Sequence, residues 1–169
     1  RRVKQAPLFQ LDAQQLPFEK HFDVIGMFDV LEHIDDDAAV LGQLYKACKV
    51  GGGIILTVPQ HPFLWSQFDD YSFHRRRYTA QGLVERVEAA GFKVACVQSF
   101  NSVLFPIMLL SRIRKKKSSD TYDILAEFRI NPTLNGFLKR AMDFERMLIR
   151  QSISFPFGGS LLMVGQRAG

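Results

Sequence analysis

One stretch of the chain, residues 59–78, is dense in side chains able to do chemistry: His61, Trp65, Asp69, Asp70, Tyr71, His74, Arg76, Arg77 and Tyr78. It reads as a long loop, and loops of that length in a compact domain are usually functional. Trp65 and Tyr78 offer a platform for a flat small molecule. His61 or His74 offers a general base near neutrality. Arg76 or Arg77 can anchor a carboxylate or phosphate. The competing reading is a surface loop in which Arg77 pairs with Asp69 or Asp70. His61, Asp69, Asp70 and His74 are also metal-ligand types, but no tight ligand spacing joins them, so no metal is expected. Upstream, Glu32-His33 follows an apolar run. His33 is either a base or a residue that packs at a helix entry, and Glu32 reads as structural. The candidate catalytic residues are therefore His33 and His74. The candidate substrate-binding residues are His61, Trp65, Arg76, Arg77 and Tyr78.

The elements that must hold these residues follow from apolar patterning. Short apolar runs bounded by turn formers predict strands over 8–11, 23–28, 53–58, 93–98 and 160–165. Asp35 predicts a helix N-cap, with Asp36 and Asp37 in a first turn that favours anions. Val40, Leu41, Leu44, Ala47 and Cys48 recur at helical spacing, and Gly51 is placed to stop that helix. Thr79 caps a second helix, with Leu83, Val84, Val87 and Ala90 inward and Gly91 as its stop. Residues 101–114 read as an apolar helix kinked at Pro106. Asn131-Pro132 opens another helix, with Leu134, Phe137, Leu138, Ala141, Phe144 and Leu148 on one apolar face. The order implies an α/β fold with parallel pairing. Residues 1–169 form a single, partial domain, in which 101–153 is a helical insertion or lid before a last antiparallel strand.

Composition narrows the classes. The chain has 169 residues, 47% hydrophobic and 23% charged, which is ordinary for a globular domain. Fifteen Phe argue against disorder. Cys48 and Cys96 cannot build a disulfide framework; both are expected to be buried thiols in a reducing, cytoplasmic compartment. No signal-peptide core follows Arg1-Arg2-Val3-Lys4. The net charge is +5, but five of the 22 basic residues are Arg112, Arg114, Lys115, Lys116 and Lys117, and without them the basic count equals the 17 acidic residues. The basicity is one patch, without interleaved aromatics, so no nucleic acid is expected. Residues 103–117 have three readings: a lid or substrate wall, an interfacial anchor making peripheral membrane contact, or a core-packed helix with a solvated charged end.

Four pieces in order resemble a known family. They are Leu11-Asp12-Ala13-Gln14-Gln15-Leu16-Pro17-Phe18, then Phe22-Asp23-Val24, then Val30-Leu31-Glu32-His33-Ile34, then Val50 through Pro59. Together they resemble the second half of a class I S-adenosylmethionine-dependent methyltransferase, of the small-molecule type that includes quinone-biosynthesis O-methyltransferases. His74 through Thr79, and Ala90-Gly91-Phe92 before a strand, fit the same picture, so the resemblance covers about residues 8–98. It implies a Rossmann-like sheet of order 3-2-1-4-5-7-6, with the strands here being the third to the seventh. It also implies S-adenosyl-L-methionine as cofactor, with Asp12 near the adenine amino group, the Ala13 amide on the ring nitrogen, and Phe28, Asp29, Val30 and Leu31 lining the methionine portion. Asp12 has a plainer reading as a turn former.

The chain departs from the family in lacking the first strand, its glycine-rich loop and the acidic residue after the second strand. Gly51-Gly52-Gly53 does not replace the loop, because it precedes a strand and opens no helix. The sheet is expected to be incomplete on its N-terminal side, truncated relative to the family domain. This chain alone is expected to be inactive and to bind the cofactor weakly or not at all. Residues 8–11 would lack a ladder partner, and 23–28 would expose a hydrophobic edge open to self-association. The implied activity is methyl transfer to a small or lipid-like acceptor. The alternative is a non-catalytic α/β module that docks at a membrane surface or partner through 103–117.

Overall fold

The computed structural model of the chain describes residues 7–115, 131–151 and 153–169. Strand β1 (Phe22–Phe28) leads through a single 3-10 turn (Leu31–His33) into helix α1 (Asp37–Ala47) and strand β2 (Cys48–Pro59). A 3-10 turn (Pro62–Leu64) and the short helix α2 (Gln67–Tyr71) precede helix α3 (Ala80–Ala89) and strand β3 (Phe92–Phe100). Helices α4 (Phe105–Lys115) and α5 (Pro132–Arg150) lie between β3 and the last strand, β4 (Ser160–Arg167).

The sheet runs β1-β2-β4-β3. β1 and β2 are parallel, with Ile25 opposite Ile54 and Phe28 opposite Thr57. β4 is antiparallel to both neighbours, with Val164 opposite Ile55 on one side and Cys96 on the other. That is the 4-5-7-6 portion of the expected order. A helix must cross over between parallel neighbours, and α1 does so. Its core-facing Val40, Leu41 and Leu44 meet Ile54, Leu56 and Val58 of β2, Leu83 and Val87 of α3, and Leu161 and Met163 of β4. Along β2 the buried residues alternate with half-buried ones, so one face of the sheet is sealed and the other is only partly covered.

Close backbone approach explains one glycine. A Cβ at Gly53 would run into the carbonyl oxygen of Gly165 on β4. Gly53→Ala is therefore expected to cost about 1–3 kcal/mol through a forced backbone shift, measured as a lower urea midpoint. Gly42, with nothing near its missing Cβ, should accept alanine without loss.

Several expectations are corrected. No strand forms over 8–11. Leu8 and Phe9 are 74% and 71% exposed, because a strand is held by its ladder and none of the described strands lies beside them. Asp36, not Asp35, caps α1, accepting from the Ala39 N–H at 2.9 Å. Asp35 instead meets Arg75 at 3.3 Å. Gly51 does not stop α1. The helix ends at Ala47 and passes straight into β2, where Gly51 has φ +79°. Cys48 is buried, but Cys96 is exposed on β3, where the ladder is irregular between Val94 and Cys96. Pro106 makes no kink, since it falls in the first turn of α4, where its missing N–H is not needed.

Helix α5 does not bury its whole apolar stripe: Leu134, Phe137 and Phe144 are exposed. It docks instead through Glu145, whose carboxylate accepts the Val103 N–H at 2.9 Å. As anticipated, β1 is an edge strand, and Val24 and Phe28 are exposed. Ile107, Leu109 and Leu110 of α4 are exposed too. The basic residues Lys116 and Lys117, and the stretch 116–130 that contains them, lie outside the described residues. Among the described residues, no helix is long and apolar enough to cross a membrane.

Candidate active site

The carboxyl ends of β1 and β2 open onto a cleft of about 460 Å³ lined by Asp29, Glu32, His33, Pro59, Phe68, Ser72, His74, Arg77, Met108, Arg112, Gly159 and Ser160. Ligands of open α/β sheets gather at such strand ends. Two chain segments build the wall that carries the chemistry.

The first is the turn after β1. Asp29 takes a left-handed conformation, φ +50°, which aspartate tolerates better than most residues. Its N–H donates to the Thr57 carbonyl at 3.0 Å and to the Thr57 hydroxyl at 3.1 Å. This bend feeds the 3-10 turn and sorts its residues. Leu31 drops into the core, Glu32 points inward at 1% exposure, and His33 stays at the rim.

The second segment is the loop that carries α2. Asp69 is fully buried and is its hub. The Ser66 N–H and hydroxyl donate to Asp69 Oδ2 at 2.8 and 2.9 Å. Arg77 clamps the carboxylate from Nε at 2.7 Å and Nη2 at 3.1 Å, and its Nη1 donates to the Gln60 carbonyl at 3.1 Å. His74 Nδ1 lies 2.9 Å from Asp69 Oδ1. The Arg75 N–H donates to the Glu32 carbonyl at 2.7 Å and staples the two segments together.

The electrostatics follow. Burial works against ionisation of Asp69, but the Arg77 guanidinium and the hydrogen bonds from His74 and Ser66 outweigh it and hold the carboxyl below the usual carboxylate range. An ionised Asp69 accepts a hydrogen bond from the Nδ1–H of His74, the tautomer that leaves Nε2 as the bare nitrogen. That Nε2 lies 4.0 Å from Glu32 Oε1, as does His33 Nε2. The two imidazoles meet edge to face at 4.7 Å. Neither Glu32 carboxylate oxygen has a hydrogen-bond partner. Burial, with the negative charges of Asp29 and Asp69 added, pushes its carboxyl up to about 7 against the pull of Arg77.

The structure brings some of the sequence candidates together and sends others elsewhere. Asp29, His33, His74 and Arg77 share the cleft. Arg77 reaches it already bound to Asp69, which is the pairing the competing loop reading expected. Leu31 is buried, Phe28 and Val30 are exposed, and none of the three is among the cleft-lining residues. Asp12 is exposed and accepts from the Gln14 N–H at 2.8 Å, a turn-forming contact, and Ala13 packs against the core. His61 is not among the cleft-lining residues. Its ring lies 4.8 Å from Phe63 and 5.4 Å from Phe105, and burial lowers its pKa. Trp65 donates from Nε1 to Asp70 at 2.8 Å. Arg76 pairs with Asp37 at 3.0 Å, and the buried Tyr78 donates its hydroxyl to the same carboxylate at 2.9 Å. Arg76 and Tyr78 thus serve the α1–α3 junction. Glu32 is the residue sequence reasoning undervalued. An acid set between a strand end and a histidine was the available signal, but its burial was not.

Comparison with known proteins agrees with this layout. The methyltransferase-domain family matches residues 2–97. No curated protein matches the chain. Among solved structures, the complex of the Haloferax volcanii Trm112 methyltransferase activator with a methyltransferase aligns with TM-score 0.56 and 19% identity, over 94% of this chain and 60% of that one. The [4+2]-cyclase SpnF aligns with TM-score 0.53 and 18% identity, over 94% and 55%. Haemonchus contortus phosphoethanolamine N-methyltransferase 2, in complex with S-adenosyl-L-methionine, aligns with TM-score 0.52 and 21% identity, over 94% and 36%. The chain therefore spans less than two thirds of each of these proteins, and at these identities the likeness is one of fold. With its strand order, its cleft at the strand ends and a family match over more than half its length, the chain belongs to the class I, S-adenosylmethionine-dependent methyltransferase-domain family.

Proposed function

We propose that this chain supplies the acceptor-facing part of an active site that moves a methyl group from S-adenosylmethionine to a small or lipid-like molecule. The observation that carries this reading is the convergence of Asp29, Glu32, His33 and His74 on one cleft at the strand ends. The cofactor would supply an electrophilic methyl carbon. The donor set suits part of it: the Asp29 carboxylate matches an ammonium group, and Asp12 with the Ala13 amide matches an adenine edge. The glycine-rich loop that completes such a cradle in the family is not in this sequence.

The chain's own residues orient the acceptor and handle its proton. Asp69 fixes the His74 tautomer, so that Nε2 faces the cleft as the proton acceptor, and His33 flanks it at the rim. Phe68 and Met108 give the acceptor an apolar wall. Arg112 sets a positive charge in the cleft, since Arg77 is already paired with Asp69. Helix α4, which brings Met108 and Arg112, acts as the lid of the insertion 101–153; the Arg112 Nε donates to the Leu64 carbonyl at 3.1 Å and ties it down.

Calorimetric titration of the full-length gene product with S-adenosylmethionine, and with its demethylated product, tests the reading. Both should bind, and Asp29→Ala should weaken each about tenfold or more, the equivalent of about 1.4 kcal/mol. No heat with the parent protein, or affinity unchanged from the parent in both Asp29→Ala and Asp12→Ala, would remove the cofactor assignment.

A further inference from the structure

A carboxylate that is 1% exposed with both oxygens unpartnered is rare, since a buried polar group is nearly always hydrogen-bonded. Glu32 sits in that condition beside two imidazoles. One ligand atom each from Glu32, His33 and His74 lies within 4.8 Å of the other two. The Oε1-to-Nε2 distance is 4.0 Å for both histidines. Bonds of about 2.0–2.2 Å from a central ion place its ligands roughly 3–4 Å apart, so a small side-chain rotation closes the set. His33 is at the rim and free to make it.

We propose that Glu32, His33 and His74 bind a divalent transition-metal ion, with Asp69 orienting His74 from behind. Two imidazoles and one carboxylate are donors that zinc, manganese, iron(II) and cobalt accept, whereas calcium and magnesium prefer oxygen alone. The carboxylate–histidine contact at Nδ1 is the usual support for a metal-binding Nε2. The surrounding charge favours a cation. Asp29 lines the same cleft, and Arg77 is already neutralised by Asp69, which leaves Arg112 as the opposing charge among the described lining residues. Three protein ligands leave coordination positions open toward the cleft. A hydroxyl bound there would lose its proton to solvent more readily and stay as a metal-held oxyanion. In that metal-loaded state His74 works as a ligand and not as a bare base. This deepens the proposed methyl-transfer reading and rests on it only for that consequence; metal binding stands on the geometry alone.

The test is titration of the chelator-treated full-length gene product with Co²⁺, read by visible d–d absorption, and with Zn²⁺, read by calorimetry. Roughly one equivalent should bind. Affinity should fall at least ~100-fold in Glu32→Gln and His74→Gln, fall in His33→Gln as well, and hold in His21→Gln, which lies at the opposite end of β1. Circular dichroism melts establish that each variant is folded. Should His74→Gln not fold, Glu32→Gln and the rim variant His33→Gln decide. Absence of binding in the parent, or unchanged affinity in the Glu32 and His33 variants, overturns the proposal. Cofactor binding is measured on the same samples. Its loss with metal binding intact defeats only the methyl-transfer reading, and the reverse defeats only the metal site.

Discussion

Asp69→Asn should lower the unfolding free energy by about 3–5 kcal/mol, the cost of leaving a buried guanidinium without its counter-charge. The side chain keeps its shape and loses its charge and one acceptor, so packing is not the variable. Arg77 is 6% exposed in its side chain and has no water to fall back on. One of the two acceptor oxygens also becomes an NH2 donor, so either Ser66, bound to Oδ2, or His74, bound to Oδ1, loses its acceptor in the same step. A drop in Tm of roughly 10 °C or more follows for a chain of this size. Asp70→Asn, whose partner is the accessible Trp65 Nε1, should change stability by less than about 1 kcal/mol. Replacing both members of the buried pair, Asp69→Asn with Arg77→Met, should recover part of the loss.

The pH dependence has a definite sign. Asp69 titrates below the usual carboxylate range in the folded protein. A depressed acid contributes its stability above its unfolded pKa and loses it as pH falls through the folded one. The acid limb of the parent's stability curve should therefore be steeper than that of Asp69→Asn. Parallel limbs would show that the fold does not hold the Asp69 carboxyl below its unfolded value.

Leu56→Ala is expected to cost about 2–5 kcal/mol, whereas Ile55→Ala, one residue earlier in the same strand, costs clearly less. Leu56 is fully buried between β2 and the α1–α3 layer. Ile55 points to the other face and is only half-buried. Truncating Leu56 leaves a cavity that its rigid neighbours cannot close, while truncating Ile55 removes a contact already partly in solvent. Urea unfolding of the two variants side by side measures the difference. Equal losses would mean that both faces of the sheet are sealed.

The methyltransferase layout does not by itself dictate chemistry, since a [4+2]-cyclase shares it at a similar TM-score. The particular side chains at the strand ends carry the functional reading. The expected positions of β1 and β4, and the core of β2, matched the structure to within a residue or two, because a short apolar run bounded by turn formers has few other uses. Either Asp35 or Asp36 can cap a helix by type; in the fold Asp36 caps α1, while Asp35 makes an exposed pair with Arg75. Residues 8–11 look like a strand in composition, but a strand exists only where a neighbour supplies hydrogen bonds.

By itself, then, the sequence determined most of the strands and the longer helices, that the last strand in the chain is antiparallel, and that residues 59–78 are dense in polar and aromatic side chains. Those depend on local pattern, and local pattern is written along the chain. Only tertiary structure decided that Glu32 is driven inside without a partner, that Arg77 is consumed by Asp69, and that His33 and His74 meet on one wall of the cleft. Burial and the choice among competing counter-charges depend on segments far apart in sequence that the fold brings within a few ångströms.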